Sequence, residues 1–531
     1  MTKEKLYIFD TTLRDGQQTA GIDFSVEEKK FISQMLDGLG VDYIEGGYPG
    51  ANPTDTEFFA SPPKLKNAIL TAFGMTKRAG RSASNDTGLA TLLNTKAPAI
   101  CMVAKSWDYH VELALGITLE ENLASIQESV AAVKKEGREA MIDCEHFFDG
   151  YKANRQYALQ CAKAIYEQGA RWVVLCDTNG GTLPHEVSEI VKDVCKIIPG
   201  ESLGIHAHND TGNAVANSLV AIRAGVRQLQ GTLNGLGERC GNADIVTLLP
   251  TLLLKEDFAK QFTIGVSKKS LASLSSISRQ LDELLNRASN QHAPYVGDAA
   301  FAHKGGIHVS AVQKDPKTYE HIEPALVGNS RQILISDQAG RSNVLHRLKQ
   351  VGITLDPKSK TIEELLQKVK TLSAQGYSYD GADASFELLV RRFLGEVPEY
   401  FTVKGFRVSV EYEGKNKKSR SLASVKLMIE GKEISSTGEG NGPVNALDMA
   451  LRKDLGCYQK YIEDMRLVDF KVRILTSGTD AVTRVLIETM DGKGERWFTV
   501  GVSENIVQAS FQALRDSLFY KLVKEKAGKA K

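Results

Sequence analysis

Short apolar runs alternate with amphipathic segments over the first half of the chain. The runs are rich in β-branched and aromatic residues, as buried strands are, and the segments between them repeat apolar residues at helical spacing. We predict strands at Leu6–Phe9, Tyr43–Glu45, Ala68–Phe73, Ala99–Ala104, Ala140–Cys144, Trp172–Cys176, Leu203–His206 and Gln228–Leu233. We predict helices at Val26–Leu39, Leu119–Lys135, Asn154–Gln168, Pro184–Ile198, Ala214–Ala224 and Ile245–Leu254. Each strand with its helix takes about thirty residues, the size of a β/α module.

Eight such modules in succession predict a closed parallel (β/α)8 barrel. A doubly wound open sheet would give a similar local pattern. The dinucleotide-binding form of that sheet carries Gly-x-Gly-x-x-Gly after its first strand, and the segment Asp10–Gly16 lacks this motif. We therefore predict an α/β chain whose residues 1–265 form a TIM barrel.

The pattern changes twice after the barrel. Residues 266–395 begin with a helix predicted at Ser267–Asn290 and continue with short helices between Gly-, Asn- and Ser-rich segments, which indicates linker subdomains. Residues 396–525 are different, because they contain long β-prone runs. Strands are predicted there at Thr402–Tyr412, Leu422–Ile434, Val468–Leu475 and Val482–Met490, and helices at Val444–Leu455 and Ile506–Tyr520. This last region is predicted to be an α+β domain.

The α+β domain repeats itself. Ala446, Ala450, Leu451, Arg452 and Leu455 recur 63 residues later as Ala509, Ala513, Leu514, Arg515 and Leu518. Each set closes a strand-rich unit with an amphipathic helix, which predicts two pseudo-symmetric halves. The segment Gly438–Pro443 leads into the first of these helices, with proline in its first turn, and its free backbone N–H groups can receive a carboxylate. A flexible glycine-rich turn is the alternative interpretation.

The composition is typical of a multidomain globular protein. The chain has 531 residues, of which 42% are hydrophobic and 25% charged, and 66 basic residues against 65 acidic ones give a net charge of +1. That balance indicates no nucleic-acid or membrane partner. No stretch has the character of a signal peptide or a membrane span, so a cytoplasmic location is predicted. The seven cysteines lack C-x-x-C spacing and are predicted to be reduced and mostly buried.

Polar residues end most of the predicted barrel strands. The carboxyl ends of barrel strands meet at one mouth, where active sites of this fold lie. The polar ends are Asp10–Gly16, Glu45, Asp143–His146, Asp177–Asn179, His206 with His208, and Asn234–Asn242. Unrelated polar turns at these strand ends are possible, but one shared site explains the residues more economically.

A metal centre is the chemistry that these strand ends suggest. His206 and His208 stand two apart on a strand, so both imidazoles project from one face. With Asp15 they form a mixed nitrogen and oxygen set that suits zinc, manganese, cobalt or magnesium, and Asn242 can add a carbonyl oxygen. The alternative is two solvent-facing histidines at a strand end. A 2-oxo acid can fill the open metal positions, and Arg14 can steady negative charge on its oxygen unless it only forms a surface ion pair.

Three of these segments resemble a known family. The strand-one motif, the run from His206 to Asp210 and the Asn234–Asn242 loop are similar to the metal-dependent acyl-CoA aldol family. That family contains the 2-isopropylmalate, homocitrate and citramalate synthases and hydroxymethylglutaryl-CoA lyase. Phe301–His308 resembles the segment that, in the synthases, carries a catalytic histidine into a neighbouring subunit's site, which implies a homodimer. Nearly the whole chain is covered by the resemblance.

The resemblance implies catalytic roles for four residues. His308 would remove a methyl proton from acetyl-CoA with Tyr319 as its companion, Glu145 would assist the proton transfers, and Arg14 would act on the oxo acid. The chain departs from the synthase pattern at Ser310, where many members carry an acidic residue. His303 is the rival candidate for the base, and motif position ranks His308 above it.

Four longer stretches look most like the citramalate synthase branch: Glu45–Pro53, Lys105–His110, His146–Tyr151 and Cys176–Gly181. This implies condensation of acetyl-CoA with pyruvate to citramalate and CoA, with Thr178 contacting the pyruvate carboxylate. A 2-isopropylmalate synthase, which takes a larger oxo acid, is the first alternative, and an acyl-CoA lyase of the same barrel family is the second. The α+β domain resembles the allosteric domain of these synthases, which implies feedback inhibition by isoleucine.

Overall fold

The chain forms two compact units in the computed structural model, which describes residues 3–334, 340–413, 418–476 and 481–528. The first unit comprises Met1–Phe301 with Ile322–Ser330, and the second comprises Ala302–His321 with Arg331–Lys531. No helix in the described ranges is both long and apolar enough to span a membrane.

The first unit contains a closed barrel of eight parallel strands, as predicted. The strands are β1 (Tyr7–Asp10), β2 (Tyr43–Glu45), β3 (Ile69–Met75), β4 (Ala99–Lys105), β5 (Glu139–Glu145), β6 (Trp172–Asp177), β7 (Leu203–Ala207) and β8 (Gln228–Gly231). Strand β1 pairs in parallel with both β2 and β8, which closes the barrel. The carboxyl ends of all eight strands therefore face one mouth.

Helices follow the strands of the barrel. Those of seven or more residues are α1 (Val26–Leu39), α2 (Pro53–Ala60), α3 (Thr87–Asn94), α4 (Leu119–Lys135), α5 (Phe147–Ala153), α6 (Arg155–Glu167), α7 (Pro184–Val194), α8 (Ala214–Ala224), α9 (Ile245–Leu254) and α10 (Leu274–Leu284). Local sequence fixes where several of them begin. Ser25 and Glu28 form a capping box at α1, Thr118 and Glu121 form another at α4, and Pro184 opens α7.

Alternate residues of the barrel strands face different cores. Phe9 packs in a small interior cluster with Tyr43 and Trp172. Its neighbour Ile8 belongs to the larger cluster that includes buried residues of the surrounding helices. Polar side chains that point inward from the strands, such as Gln230, are therefore enclosed by the barrel.

The described part of the second unit combines six helices of nine or more residues with two antiparallel sheets of three strands each. Four of the helices precede the sheets: α11 (Gly306–Lys314), α12 (Arg341–Gln350), α13 (Lys360–Ala374) and α14 (Asp383–Phe393). The first sheet consists of β9 (Thr402–Glu413), β10 (Lys418–Ile429) and β11 (Lys432–Gly440), followed by α15 (Pro443–Lys453). The second consists of β12 (Arg466–Ile474), β13 (Thr483–Met490) and β14 (Arg496–Ser503), followed by α16 (Ile506–Lys524). The two sheets have the same order and the same closing helix.

The strand predicted at Leu422–Ile434 is wrong, because the chain reverses within it. Glu430 and Gly431 both have positive φ angles, 53° and 74°, and form a two-residue hairpin turn between β10 and β11. The apolar pattern continues through this turn, so periodicity alone did not reveal it. Two strands, β11 and β14, were not predicted.

Two glycines, 63 residues apart, account for the alanines that recur in the closing helices of the two halves. A side chain on Gly438 of β11 would lie 2.4 Å from the Ala450 nitrogen of α15. A side chain on Gly501 of β14 would lie 2.0 Å from the Ala509 oxygen of α16. Each helix therefore approaches its sheet closely, with alanines on the contacting face. Gly438 lies within β11, where it pairs with Ala423 of β10, so the Gly438–Pro443 segment begins as strand and not as a flexible turn.

Candidate active site

A cavity of about 220 Å³ opens at the carboxyl ends of the barrel strands. Seven of the residues predicted to form a site lie together at this mouth, and their side chains come from the ends of β1, β5, β6 and β7 and from the loop after β8. Six of the seven line the cavity: Arg14, Asp15, Glu145, Thr178, His206 and His208. The seventh, Asn242, contacts Asp15.

Asp15, His206 and His208 converge on one point. The Oδ2 atom of Asp15 lies 3.0 Å from Nε2 of His206 and 3.9 Å from Nε2 of His208. The two Nε2 atoms are 3.4 Å apart. All three side chains are buried, and their ligand atoms lie within 4.8 Å of one another. One carboxylate and two imidazoles at these distances fit a divalent cation.

Asn242 completes this set. Its Nδ2 atom donates to Oδ2 of Asp15 at 2.7 Å, and its buried Oδ1 atom has no hydrogen-bond partner among the described residues. Rotating the amide by half a turn would place that oxygen against the same point. Gly237 gives the side chain its room, because an added Cβ there would lie 2.2 Å from Oδ1 of Asn242. The unpartnered oxygen is what a fourth cation ligand requires.

The ionisation of these candidate ligands is coupled through Asp15. Burial opposes the charge on Asp15, but Arg14 and the two histidines outweigh it and hold the pKa of this carboxyl well below its usual value. Burial also opposes a charge on His206, yet the hydrogen bond to Asp15 raises its pKa. Burial and the neighbouring His206 lower the pKa of His208 to about 4. At neutral pH Asp15 is therefore a carboxylate and His208 a neutral imidazole, the states that bind a cation.

Arg14 is held by three carboxylates and one aromatic ring. Its Nε atom donates to Oε2 of Glu45 at 2.7 Å, its Nη1 atom lies 3.4 Å from Oδ1 of Asp15, and its Nη2 atom lies 3.9 Å from Oδ2 of Asp143. The guanidinium also lies over the ring of Phe73, 3.8 Å from the centroid. Burial raises the pKa of Glu45 to about 7 although Arg14 opposes this shift. The guanidinium is thus a fixed, largely buried positive group beside the candidate cation ligands.

Gln230, which was not among the predicted site residues, joins the candidate cation ligands to a carboxylate beside Arg14. Gln230, on β8, is buried inside the barrel. His206 Nδ1 lies 2.8 Å from Oε1 of Gln230, and Nε2 of Gln230 donates to Oδ1 of Asp143 at 3.0 Å. The only signal in the sequence is polarity at two inward positions of the strand, Gln228 and Gln230, within an otherwise apolar stretch.

Glu145 and Thr178 lie at the ends of β5 and β6 and line the same cavity as the candidate cation ligands. Glu145 forms an ion pair with Lys105, its register partner on β4. The hydroxyl oxygen of Thr178 accepts a hydrogen bond from the backbone N–H of His146 at 2.8 Å. Because that oxygen accepts, the hydroxyl hydrogen remains available to donate to another oxygen. Arg239 holds the backbone of Thr178 through a 2.6 Å hydrogen bond to its carbonyl.

His308 and Tyr319 lie in the second unit. Their rings stack, with centroids 4.1 Å apart and planes at 28°, and both side chains are exposed. His303 is different, because it is buried and its Nε2 lies 3.0 Å from Oε1 of Glu320. Arg331 donates to both carboxylate oxygens of Glu320 at 2.6 Å. His303 therefore has a structural partner, whereas His308 presents its ring to the surface.

Three family models together match most of the chain. The HMGL-like model matches residues 5–277, the model described as homocitrate synthase post-HMGL domain-like matches residues 295–377, and the LeuA allosteric (dimerisation) domain matches residues 380–522. The first match contains the barrel and its polar mouth, and the last contains both three-stranded sheets.

Full-length relatives distinguish branches of this family. An (R)-citramalate synthase of Aquifex aeolicus is 49% identical over 526 residues, which cover 98% of both chains. An (R)-citramalate synthase of Geobacter sulfurreducens is 48% identical over 99% of this chain and 98% of the relative. A 2-isopropylmalate synthase, also of Aquifex aeolicus, is 29% identical over 98% of this chain and 97% of the relative. Similarity to the first type is therefore much higher than to the second over the same length.

Proposed function

The chain belongs to the HMGL-like family and, within it, to the citramalate synthases, and from this premise we propose how its residues work. The reaction joins the methyl carbon of acetyl-CoA to the keto carbon of pyruvate. Water then cleaves the thioester, so the products are citramalate and CoA. The observation that supports this assignment is 49% identity to an (R)-citramalate synthase over 98% of both chains, and we propose the R product accordingly.

Asp15, His206, His208 and Asn242 are proposed to hold a divalent metal ion, which can be manganese, zinc, magnesium or cobalt. When bound, the ion supplies Lewis-acid polarisation of a carbonyl group. With four protein ligands or fewer, the ion would remain open to act on the keto group of pyruvate. The burial of these side chains keeps the electrostatic interactions of the site strong.

Arg14 and Thr178 are proposed to bind and orient pyruvate. Arg14 cannot lose its proton, and Glu45 and Phe73 hold its guanidinium in place, so it is prepared for an oxygen that becomes negative during carbon–carbon bond formation. Thr178 has a hydroxyl hydrogen to donate because its oxygen accepts from His146. A pyruvate carboxylate is a suitable acceptor for that hydrogen.

Proton transfers require groups that can both accept and release a proton. We assign His308 as the base that takes the methyl proton of acetyl-CoA, because its exposed imidazole is stacked on Tyr319 and not committed to a buried carboxylate as His303 is. Tyr319 is assigned as its companion. Glu145, paired with Lys105 at the cavity, is assigned to the proton transfers on the barrel side.

The acceptor is tested by supplying purified protein with acetyl-CoA and, in turn, pyruvate, 2-oxoisovalerate and 2-oxoglutarate. Free thiol is then measured as CoA appears. Pyruvate should give the highest kcat/KM. Preference for 2-oxoisovalerate would instead support the 2-isopropylmalate alternative, and absence of thiol release with pyruvate would contradict the assignment.

The second unit is proposed to dimerise the protein and to bind isoleucine as a feedback inhibitor. The support is the match of residues 380–522 to the LeuA allosteric (dimerisation) domain. Isoleucine should inhibit the full chain more strongly than leucine or valine, and light scattering should give twice the mass of one chain. The proposal fails if a chain ending at Gly395 remains active and its response to isoleucine is unchanged.

A further inference from the structure

We propose that Gln230 is a positioning residue that sets the ring orientation and the protonated nitrogen of His206. This inference rests on the proposed cation site and adds a residue to which no role has been given. Gln230 lies on β8, one strand away from His206 on β7, and its side chain is 1% exposed. The amide oxygen and the amide nitrogen of Gln230 each have one partner, His206 and the carboxylate of Asp143, and these partners determine the orientation of the amide.

Asp143 determines which end of the amide faces which partner. The Oδ1 atom of Asp143 lies 3.0 Å from Nε2 of Gln230, and a carboxylate only accepts hydrogen bonds. The amide nitrogen must therefore face Asp143. The opposite orientation would place two acceptor oxygens against each other inside the barrel, at the cost of two unsatisfied buried groups.

The orientation of the amide in turn determines the proton on His206. Because Oε1 of Gln230 faces Nδ1 at 2.8 Å, that ring nitrogen must be the donor. When the imidazole gives up the proton that Nε2 shares with Asp15, this other nitrogen carries the lone pair. This is the nitrogen that faces Asp15 at 3.0 Å and His208 at 3.4 Å. Gln230 thus directs the lone pair of His206 to the point where the candidate ligands meet.

Gln230 also relates the cation site to the substrate-binding arginine. Asp143, which orients the glutamine through Oδ1, places its other oxygen 3.9 Å from Nη2 of Arg14. Gln230 thus joins the imidazole of His206 to the carboxylate of Asp143, while Asp15 contacts both His206 and Arg14 directly.

The test replaces the amide and measures Mn²⁺ binding to the full chain without substrate. Gln230→Met keeps the length of the side chain and removes both hydrogen-bonding groups, and Gln230→Asn is too short to reach both partners. Each variant should raise the Kd for Mn²⁺ about 10- to 100-fold. Electron paramagnetic resonance of the free ion measures this Kd. Gln230→Asn decides the test if Gln230→Met does not fold.

Two further variants separate positioning from packing. Gln228→Met is the matched control, because Gln228 is equally buried, stands two residues earlier on the same face of β8, and contacts Met141 with its amide nitrogen at 3.9 Å. It should retain the wild-type Kd within about threefold. Gln230→Glu should also retain it, because a proton shared with Asp143 leaves the second glutamate oxygen to accept from His206.

Three outcomes would overturn the inference. The first is a Kd for Gln230→Met and Gln230→Asn equal to that of the wild type. The second is an equal loss in Gln228→Met, which would make the effect one of barrel packing. The third is a wild-type chain that binds no Mn²⁺, which would contradict the proposed cation site and the inference that rests on it. The first two outcomes contradict the inference alone and leave the proposed cation site standing.

Discussion

Lys29 forms a fully buried ion pair with Asp55 in the first unit, and its ammonium also donates to the carbonyl oxygens of Leu13 and Gly46. Those distances are 2.8 and 3.2 Å. Leu13 directly precedes Arg14, and Gly46 directly follows Glu45. One lysine on α1 therefore fastens both segments that carry the Arg14–Glu45 pair.

Replacing Lys29 by methionine should destabilise the barrel by about 3–5 kcal/mol, because it leaves Asp55 buried without its cation. Urea unfolding followed by tryptophan fluorescence measures the change. The double variant Lys29→Met with Asp55→Asn should recover part of it. Equal losses in the single and double variants would show that the charge of Asp55 is not the cause.

His208→Gln should abolish tight Mn²⁺ binding and lower turnover with pyruvate by about two orders of magnitude or more, because one of the candidate cation ligands is lost. His185 provides the control, since it is an exposed histidine on α7. His185→Gln should leave both properties unchanged. Full turnover by the His208 variant would contradict the cation site.

Thr178→Val should raise the KM for pyruvate about 10- to 100-fold, the effect of losing a hydrogen bond to a charged group. The KM for acetyl-CoA should change little. Thr178→Ser keeps the hydroxyl, so its steady-state kinetics should resemble those of the wild type. An equal defect in the serine variant, which keeps the hydroxyl, would contradict the role proposed for that hydroxyl.

His308→Ala should lower kcat about 10²- to 10⁴-fold, as expected for loss of a general base, with the thermal unfolding temperature preserved because the ring is exposed. His303→Ala should do the opposite and mainly lower the unfolding temperature, because it leaves Glu320 with fewer partners in the interior. Exchange of the acetyl-CoA methyl protons with deuterated water measures the catalytic step. A reversal of these two patterns would make His303 the base.

Asp37 should make the barrel sensitive to acid. Burial disfavours its charge, but backbone N–H groups of Lys66, Asn67 and Ala68 donate to the carboxylate and lower its pKa. A lowered pKa means that this stabilisation is complete above the ordinary carboxyl pKa of about 4 and is lost as the pH falls through the lower, folded-state value. The stability difference between wild type and Asp37→Asn should therefore shrink below about pH 4 in urea titrations. A difference that stays constant to pH 2 would contradict this origin.

Sequence periodicity predicted the barrel well because each strand and helix keeps its own spacing of apolar residues. It also predicted that Asp15, His206 and Asn242 would meet, since parallel strands bring their carboxyl ends to one place. Gln230 and Lys29 were missed for a physical reason. A glutamine on a strand and a lysine on an amphipathic helix look like solvated residues until three-dimensional contacts show that both are buried.

The hydrogen bond between Asp15 and Asn242 joins residues 227 positions apart in the chain. During synthesis from the amino terminus, the loop that carries Asn242 leaves the ribosome only after all eight barrel strands have been made. A shorter nascent chain has at most three of the four proposed ligands, so the complete proposed set forms late in synthesis. Metal loading at all four ligands would then follow closure of the barrel and would be a late event in maturation.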